Sequence, residues 1–161
     1  MSELAFLSPA RATAEATPRS PLERALAHAP KQIEDISLSI GVLEVRGDVV
    51  ELDVGEVIRL TPARALVLCG SEETAGIRRE LRQRFLTIDL TAGWAGMRVR
   101  GEAALRRVTD LDLHELPAVG PLAHVQALVI RDDEETFRVL VPQEYGHHVA
   151  EVLSDAVAGL P

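Results

Sequence analysis

"LAHVQALVIRDDEETFRVLV", residues 122–141, sets two runs rich in valine, leucine, isoleucine and phenylalanine on either side of an acidic segment, Arg131 to Thr136. Runs of this kind bounded by polar turn residues read as strands, and two of them across so short a connection read as an antiparallel pair. Working back from that pair, "LTIDL" (86–90) and "AGMRVRG" (95–101) read as further strands, and "EAALRRV" (102–108) as a short helix. Downstream, Tyr145, Val149, Val152, Leu153, Ala156, Val157 and Leu160 recur at helical spacing and form one apolar stripe. The order β-α-β-β-α is most of a ferredoxin-like split βαβ unit, so the sequence predicts an α+β fold with helices packed on a largely antiparallel sheet.

The first half carries the same alternation less clearly. Residues 1–19 mix alanine, proline, serine and arginine without sustained periodicity, which predicts a flexible arm, with a single domain over 20–161. Ser20, Pro21 and Glu23 stand in a capping-box arrangement ahead of a short helix. Between Ile36 and Val45 the apolar residues change parity, Leu38, Ile40 and Val42 giving way to Leu43 and Val45, so a strand there needs a bulge or bend. "VIRL" (57–60) and "ALVLCG" (65–70) read as an antiparallel pair through Thr61 and Pro62. After the cap candidate Ser71, the period becomes helical through Ile77, Leu81 and Phe85, with Glu72 and Glu73 at the start and Arg82 and Arg84 at the end, as the macrodipole favours.

Composition narrows the function classes. The chain has 161 residues, 47% hydrophobic and 26% charged, with a formal net charge of −8 and Lys31 as its only lysine. A polyanion meets a repulsive mean field, and with aromatic residues at 3% there are few platforms for stacking bases, so nucleic acid is disfavoured. The lone Cys69 makes neither an internal disulfide nor a cysteine metal cage, in keeping with a reducing compartment. No run approaches the roughly 20 apolar residues that span a bilayer. The opening "MSELAFLSPARATAEATPRS" lacks a basic leader and a sustained apolar stretch, so the expectation is a cytoplasmic protein with no membrane partner.

Candidate sites are few. In "VTDLDLHEL" (108–116), Asp110, Asp112 and His114 would share one face of a strand and could meet a metal, but a metal site needs further convergent ligands and hydrogen bonds that orient them, and none is expected. The structural alternative is that Asp110 or Asp112 caps the loop through backbone donors while Leu111, Leu113 and Leu116 enter the core. His147 and His148 have the titration range of a proton shuttle but no visible partner, and Cys69 has no basic neighbour to activate it. Arginine is concentrated in "RRELRQR" (78–84) and at Arg98, Arg100, Arg106 and Arg107. Arg78, Arg82, Arg98 and Arg100 are candidates for a docking face, against the alternative of a solvated surface that neutralises its own glutamates. Trp94, the only tryptophan, is either an interface anchor or a core aromatic.

Arg19 to Leu22, Leu111 to His114 and Phe137 to Val141 resemble the gamma subunit of heterotetrameric sarcosine oxidase over residues 19–158. In that family an Arg-Ser-Pro-Leu opening precedes an Asp-Leu-His segment, a proline- and glycine-containing loop, a phenylalanine-containing strand and a terminal amphipathic helix. The gamma subunit is similar in turn to the folate-binding domains of aminomethyltransferases, the glycine-cleavage T-protein group, so the resemblance implies a folate-binding-domain-like fold. Those domains carry an Asp-Leu-x-x-Leu stretch followed by glycine, whose aspartate faces the folate and its one-carbon unit. "DLHELPAVG" sets Asp112, Leu113, Leu116 and Gly120 on that pattern, which makes Asp112 the candidate acid and places His114 on the candidate folate side.

The transferases continue with a longer strand and a glycine-rich turn ending in paired aspartates, then further domains. This chain passes from Gly120 through "PLAHVQALVI" to "RDDEET". The resemblance therefore implies an accessory subunit without its own catalytic centre or cofactor. Its partners would be larger flavin- and folate-binding subunits carrying FAD, FMN, NAD and tetrahydrofolate, in a complex that oxidises the N-methyl group of sarcosine. The chain's own residues agree: there is no dinucleotide-binding glycine motif, no phosphate-binding loop with lysine, and no cysteine cluster. The competing expectation is a small folate-binding domain that uses Asp112, and a third is a stand-alone ligand-binding module.

Overall fold

Among the residues described by the computed structural model, 17–160, nine strands pair into two sheets. The elements are β1 (Ile33–Asp35), β2 (Ile40–Arg46), β3 (Glu56–Thr61), β4 (Arg64–Gly70), α1 (Thr74–Leu81), β5 (Leu86–Asp89), β6 (Trp94–Arg100), α2 (Glu102–Arg106), β7 (Ala118–Leu122), β8 (Val125–Arg131), β9 (Thr136–Pro142) and α3 (Gly146–Ala158). One sheet runs β1-β6-β9-β8-β7 and the other β3-β4-β2-β5. Every strand pairing is antiparallel.

The expected α+β architecture of antiparallel strands with packed helices is present, but as two sheets face to face rather than one. On the five-stranded sheet, Met97, Val99, Phe137, Val139 and Val129 pack with α2, α3 and Leu22. The opposite faces of its strands send Leu128, Ile130 and Leu140 against Ile40, Val42, Ile58, Leu66 and Leu68 of the second sheet. The far side of that second sheet, Leu43, Val45, Ala65 and Val67, is covered by Leu81 and Ile77 of α1. Alternation along β2, β4, β8 and β9 thus sorts residues between two apolar interfaces, not between core and water.

Both sheets share a strand order. In a ferredoxin-like unit the fourth strand lies beside the first, then the third and second. Strands β6, β8 and β9 take the first three places of one unit, with α2 and α3 as its helices. The edge place is filled by β1, from the other end of the described chain. Strands β2, β3, β4 and β5 repeat the order, with the loop 47–55 in place of the first helix.

Several local expectations are corrected by this arrangement. The parity change near Ile40 is a change of sheet, not a bulge: β1 pairs with β6, the chain crosses at Ile36 to Ser39, and β2 is buried on both faces. Residues 21–28 form successive turns rather than a regular helix. Ser20 Oγ accepts the Leu22 amide at 3.0 Å, and the Leu26 amide reaches Leu22 O at 2.9 Å. The arm expected over 1–19 lies outside the described residues as far as residue 16. Helix α1 begins at Thr74, with Glu73 and not Ser71 at its N-cap. The run 122–130 is broken at Ala123 and His124, whose φ angles of 49° and 65° make the tight turn between β7 and β8. That turn is anchored where the Ala123 amide donates to Val108 O at 2.8 Å. In the α3 stripe Val149, Leu153, Ala156 and Val157 are buried, whereas Tyr145 precedes the helix and is exposed.

The acidic turn 131–136 is organised by Asp133, whose carboxylate accepts the Glu135 and Thr136 amides at 2.9 and 2.8 Å. Those hydrogen bonds hold its carboxyl below the usual carboxylate range. Between the sheets, Arg138 of β9 reaches Glu56 of β3 and Asp132, so the interface is rimmed by an ion pair where its apolar contacts stop.

Glu44 is the one buried carboxylate of the described residues. It lies on β2 between Arg46 and Arg64, which oppose each other in register, and Arg64 grips both of its oxygens at 3.0 Å. Burial alone would raise its pKa; the hydrogen bonds from Arg64 and Arg46 outweigh that and lower it from 4.5. A depressed folded-state pKa contributes stability that is complete above the unfolded value and lost as pH falls through the folded one. Urea unfolding from about pH 7 to about pH 3 is therefore expected to show a shallower acid loss for Glu44→Gln than for the parent, with the two converging at the acid end. Parallel curves would refute the assignment.

Candidate functional site

Two large concavities lie side by side on the described surface. The larger, about 580 Å³, is lined by Thr74, Arg78 and Arg79 of α1, by Arg82 at its C-cap, and by Asp89 and Thr91. The smaller, about 480 Å³, shares Asp89 and Thr91 and continues to Trp94, Leu38, Arg19 and Gln143. Because Asp89 and Thr91 line both, the two hollows adjoin as a groove on either side of the turn Asp89–Thr91.

Local sequence explains why these groups meet. On α1, Thr74, Ile77 and Leu81 turn inward onto β2 and β4, so Ala75, Arg78, Arg79 and Arg82 occupy the remaining stripe at the edge of β5. The helix sits close to the sheet because Gly41 has no side chain: a Cβ there would collide with the Thr74 hydroxyl and come within 3.0 Å of Cys69 Sγ. Thr74 Oγ1 donates to Gly70 O at 3.1 Å, fixing the first turn.

At the centre of the groove, Asp89 accepts Arg78 Nη1 at 3.0 Å and the Thr91 amide at 3.1 Å. Partial burial would raise the Asp89 pKa, but the hydrogen bonds from Thr91 and Arg78 lower it, so it stays an anion. Arg78 is thereby committed. Arg79, Arg82 and Arg19 are exposed and, like Arg24, Arg59, Arg84, Arg100 and Arg107, make no ion pair among the described residues. In the second concavity Trp94 packs one side against the inter-sheet core, and Leu38 beside it is 49% exposed.

Of the residues named from the sequence, Arg78, Arg82 and Trp94 are brought together here. Arg98 and Arg100 are not, since they lie four and six residues along β6 from Trp94, which is about 13 and 20 Å of extended chain. Arg98 pairs with Glu34 at 2.7 Å. Arg79 belongs to the arginine-rich segment 78–84 already marked in the sequence, whereas Asp89, Thr91, Leu38 and Arg19 were missed. The aspartate two residues before Thr91 was a readable turn signal, but nothing in the sequence placed it beneath the arginines of α1.

Asp112 and His114 stand on the loop after α2, both exposed. The Asp112 carboxylate accepts the His114 amide at 2.9 Å, while Leu113 is fully buried and Leu111 and Leu116 pack against the same core. This is the loop-ordering geometry. Neither residue lines the two large concavities. Arg131 secures the loop by donating twice to Leu113 O, at 3.1 and 2.9 Å, and once to Glu102 at 2.7 Å. His147 pairs with Glu151 on the helix surface, and His148 meets Ala123 O at 3.2 Å. Among the described residues no three histidine, cysteine, aspartate or glutamate side chains converge as a metal site, and no helix is long and apolar enough to cross a membrane.

No known protein family matches the sequence, and no curated protein matches it significantly. Solved structures do. A chain of the heterotetrameric sarcosine oxidase from Corynebacterium sp. U-96, in complex with pyrrole 2-carboxylate, superposes with a TM-score of 0.71 at 20% identity, covering 88% of this chain and 95% of that one. The glycine cleavage system aminomethyltransferase T from Bartonella henselae superposes with a TM-score of 0.57 at 17% identity, covering 82% of this chain and 48% of that one. The likeness is one of fold. This chain shares its architecture with a chain of that oxidase and with about half of the aminomethyltransferase.

Proposed function

We propose that this chain is an accessory, gamma-type subunit of a heterotetrameric sarcosine oxidase-like flavoenzyme complex in sarcosine and one-carbon catabolism, with no catalytic centre of its own. One observation carries the reading: the fold likeness to a chain of such an oxidase runs nearly end to end in both chains, whereas it takes in less than half of the aminomethyltransferase. A match that takes in nearly all of a chain of such a complex is what a subunit gives; a transferase activity draws on the rest of the larger protein. In this reading residues 20–161 are a single docking domain, FAD, FMN, NAD and tetrahydrofolate belong to the partner subunits, and the complex is cytoplasmic.

Purification of the tagged chain from its native host is the direct test. A flavin-containing protein at stoichiometric level is expected, and recovery of the chain alone would overturn the reading. A second reading, a folate-binding domain acting through Asp112, draws on the likeness to aminomethyltransferase T. Against it stands the position of Asp112, exposed on a loop outside both large concavities, with one carboxylate oxygen accepting the His114 amide. Titration of tetrahydrofolate into the isolated chain is expected to give no saturable signal; tight binding abolished by Asp112→Asn would reverse the ranking.

A further inference from the structure

We infer that the groove across Asp89–Thr91 is the docking site for an extended, acidic segment of a partner protein, carboxylates on the arginine side and an apolar side chain on the Trp94 side. The inference rests on the accessory-subunit reading and names the surface and the partner chemistry.

Charge is the first argument. The chain carries a net −8, yet Arg79, Arg82 and Arg19, unpaired among the described residues, line two adjoining concavities. The acid at their centre, Asp89, is already neutralised by Arg78, so the local field is left positive. Guanidinium groups on a helix stripe present forked donors that match carboxylates two at a time. Shape is the second. Neither hollow is enclosed and the two adjoin at Asp89 and Thr91, which line both, and that suits an extended chain better than an engulfed small molecule. Apolar surface is the third. Trp94 and the half-exposed Leu38 sit at one end of the groove, and a tryptophan beside arginines is the composition of an interface anchor. A second copy of this chain fits poorly, because isologous pairing through this face would oppose arginine to arginine.

The only tryptophan lies in the groove, so its fluorescence reports occupancy without a label. The probe is a synthetic peptide with a run of glutamates followed by leucine and phenylalanine, titrated into the full chain. A saturable change in Trp94 emission is expected, weakening with salt and weakening by about tenfold or more in the double variant Arg79→Glu, Arg82→Glu. Both residues are exposed, so circular dichroism of the variant should match the parent. The inference is overturned if the peptide produces no saturable change, if a peptide with lysine for glutamate or serine for leucine and phenylalanine binds equally well, or if sedimentation shows a dimer that blocks the peptide.

The two readings fail separately. A native flavoprotein complex that survives the double charge reversal sinks the groove and spares the subunit. Peptide binding as expected with no native partner does the opposite.

Discussion

Phe137→Ala is expected to cost about 3–5 kcal/mol of folding stability. Phe137 is fully buried and the bulkiest of the fully buried side chains. It sits on β9, between β6 and β8, at the register positions of Val99 and Arg131. Truncation would remove the ring from the interface that α2 and α3 close, and strands hydrogen-bonded on both sides cannot collapse into the space. The ring also has a polar neighbour: the Arg131 guanidinium lies 4.5 Å from its centroid while donating to Leu113 O, Glu134 O and Glu102. Loss of the ring therefore frees one face of the group that ties down the Asp112 loop. Since a domain of this kind is stable by only about 5–15 kcal/mol, the variant should melt roughly 10 °C lower. Phe137→Leu, which keeps most of the volume, should lose much less, below about 1.5 kcal/mol. Equal urea midpoints for the alanine and leucine variants would mean that the site relaxes and the packing account is wrong.

Gly41→Ala is expected to destabilise by about 1–3 kcal/mol, although it adds one methyl group. The added carbon has nowhere to go: the Thr74 hydroxyl and Cβ lie over it and Cys69 Sγ lies beside it. Thr74 is buried and its hydroxyl is held by Gly70 O, so relief requires the first turn of α1 to lift from β2 and β4. That movement would carry Arg78 away from Asp89 and spoil the groove. The variant should lose the peptide-induced change in Trp94 emission along with stability, whereas an exposed change on the same helix, Gly76→Ala, which meets nothing within 4 Å, should lose neither. Thr74→Ala in the Gly41→Ala background removes the nearest atom and should recover part of the loss. No recovery would place the strain elsewhere.

How far the sequence could be read depended on what its patterns report. Helical spacing in 145–160 and the paired runs across 131–136 named their elements correctly, because each signal is local and each element packs the face that the spacing marks. The same logic misread 36–45, since alternation was taken to separate core from water. In β2, β4, β8 and β9 both parities are apolar, "VLEV", "ALVLC", "ALVI" and "VLV", and such runs mark strands buried on two faces. That was the available sign of a second sheet. The turn at Ala123–His124 left no sign of the glycine or asparagine kind; it is held by tertiary contacts, the Ala123 amide donating to Val108 O and the Ala123 carbonyl meeting His148 Nε2.

By itself the sequence determined the class of fold, the positions of the β8–β9 pair and α3, and the lack of glycine-loop and cysteine motifs, all of which follow from local periodicity and residue chemistry. Only the tertiary structure decided that the strands divide into two stacked sheets, that β1 completes the sheet of the other end of the chain, and that Arg78, Arg82 and Trp94 share a groove while Arg98 and Arg100 lie elsewhere. The physical reason is the same in each case. A strand's spacing says which residues point together, but which surface they meet is set by pairing between segments far apart in the chain, and that choice is made by the burial of both sheet faces at once.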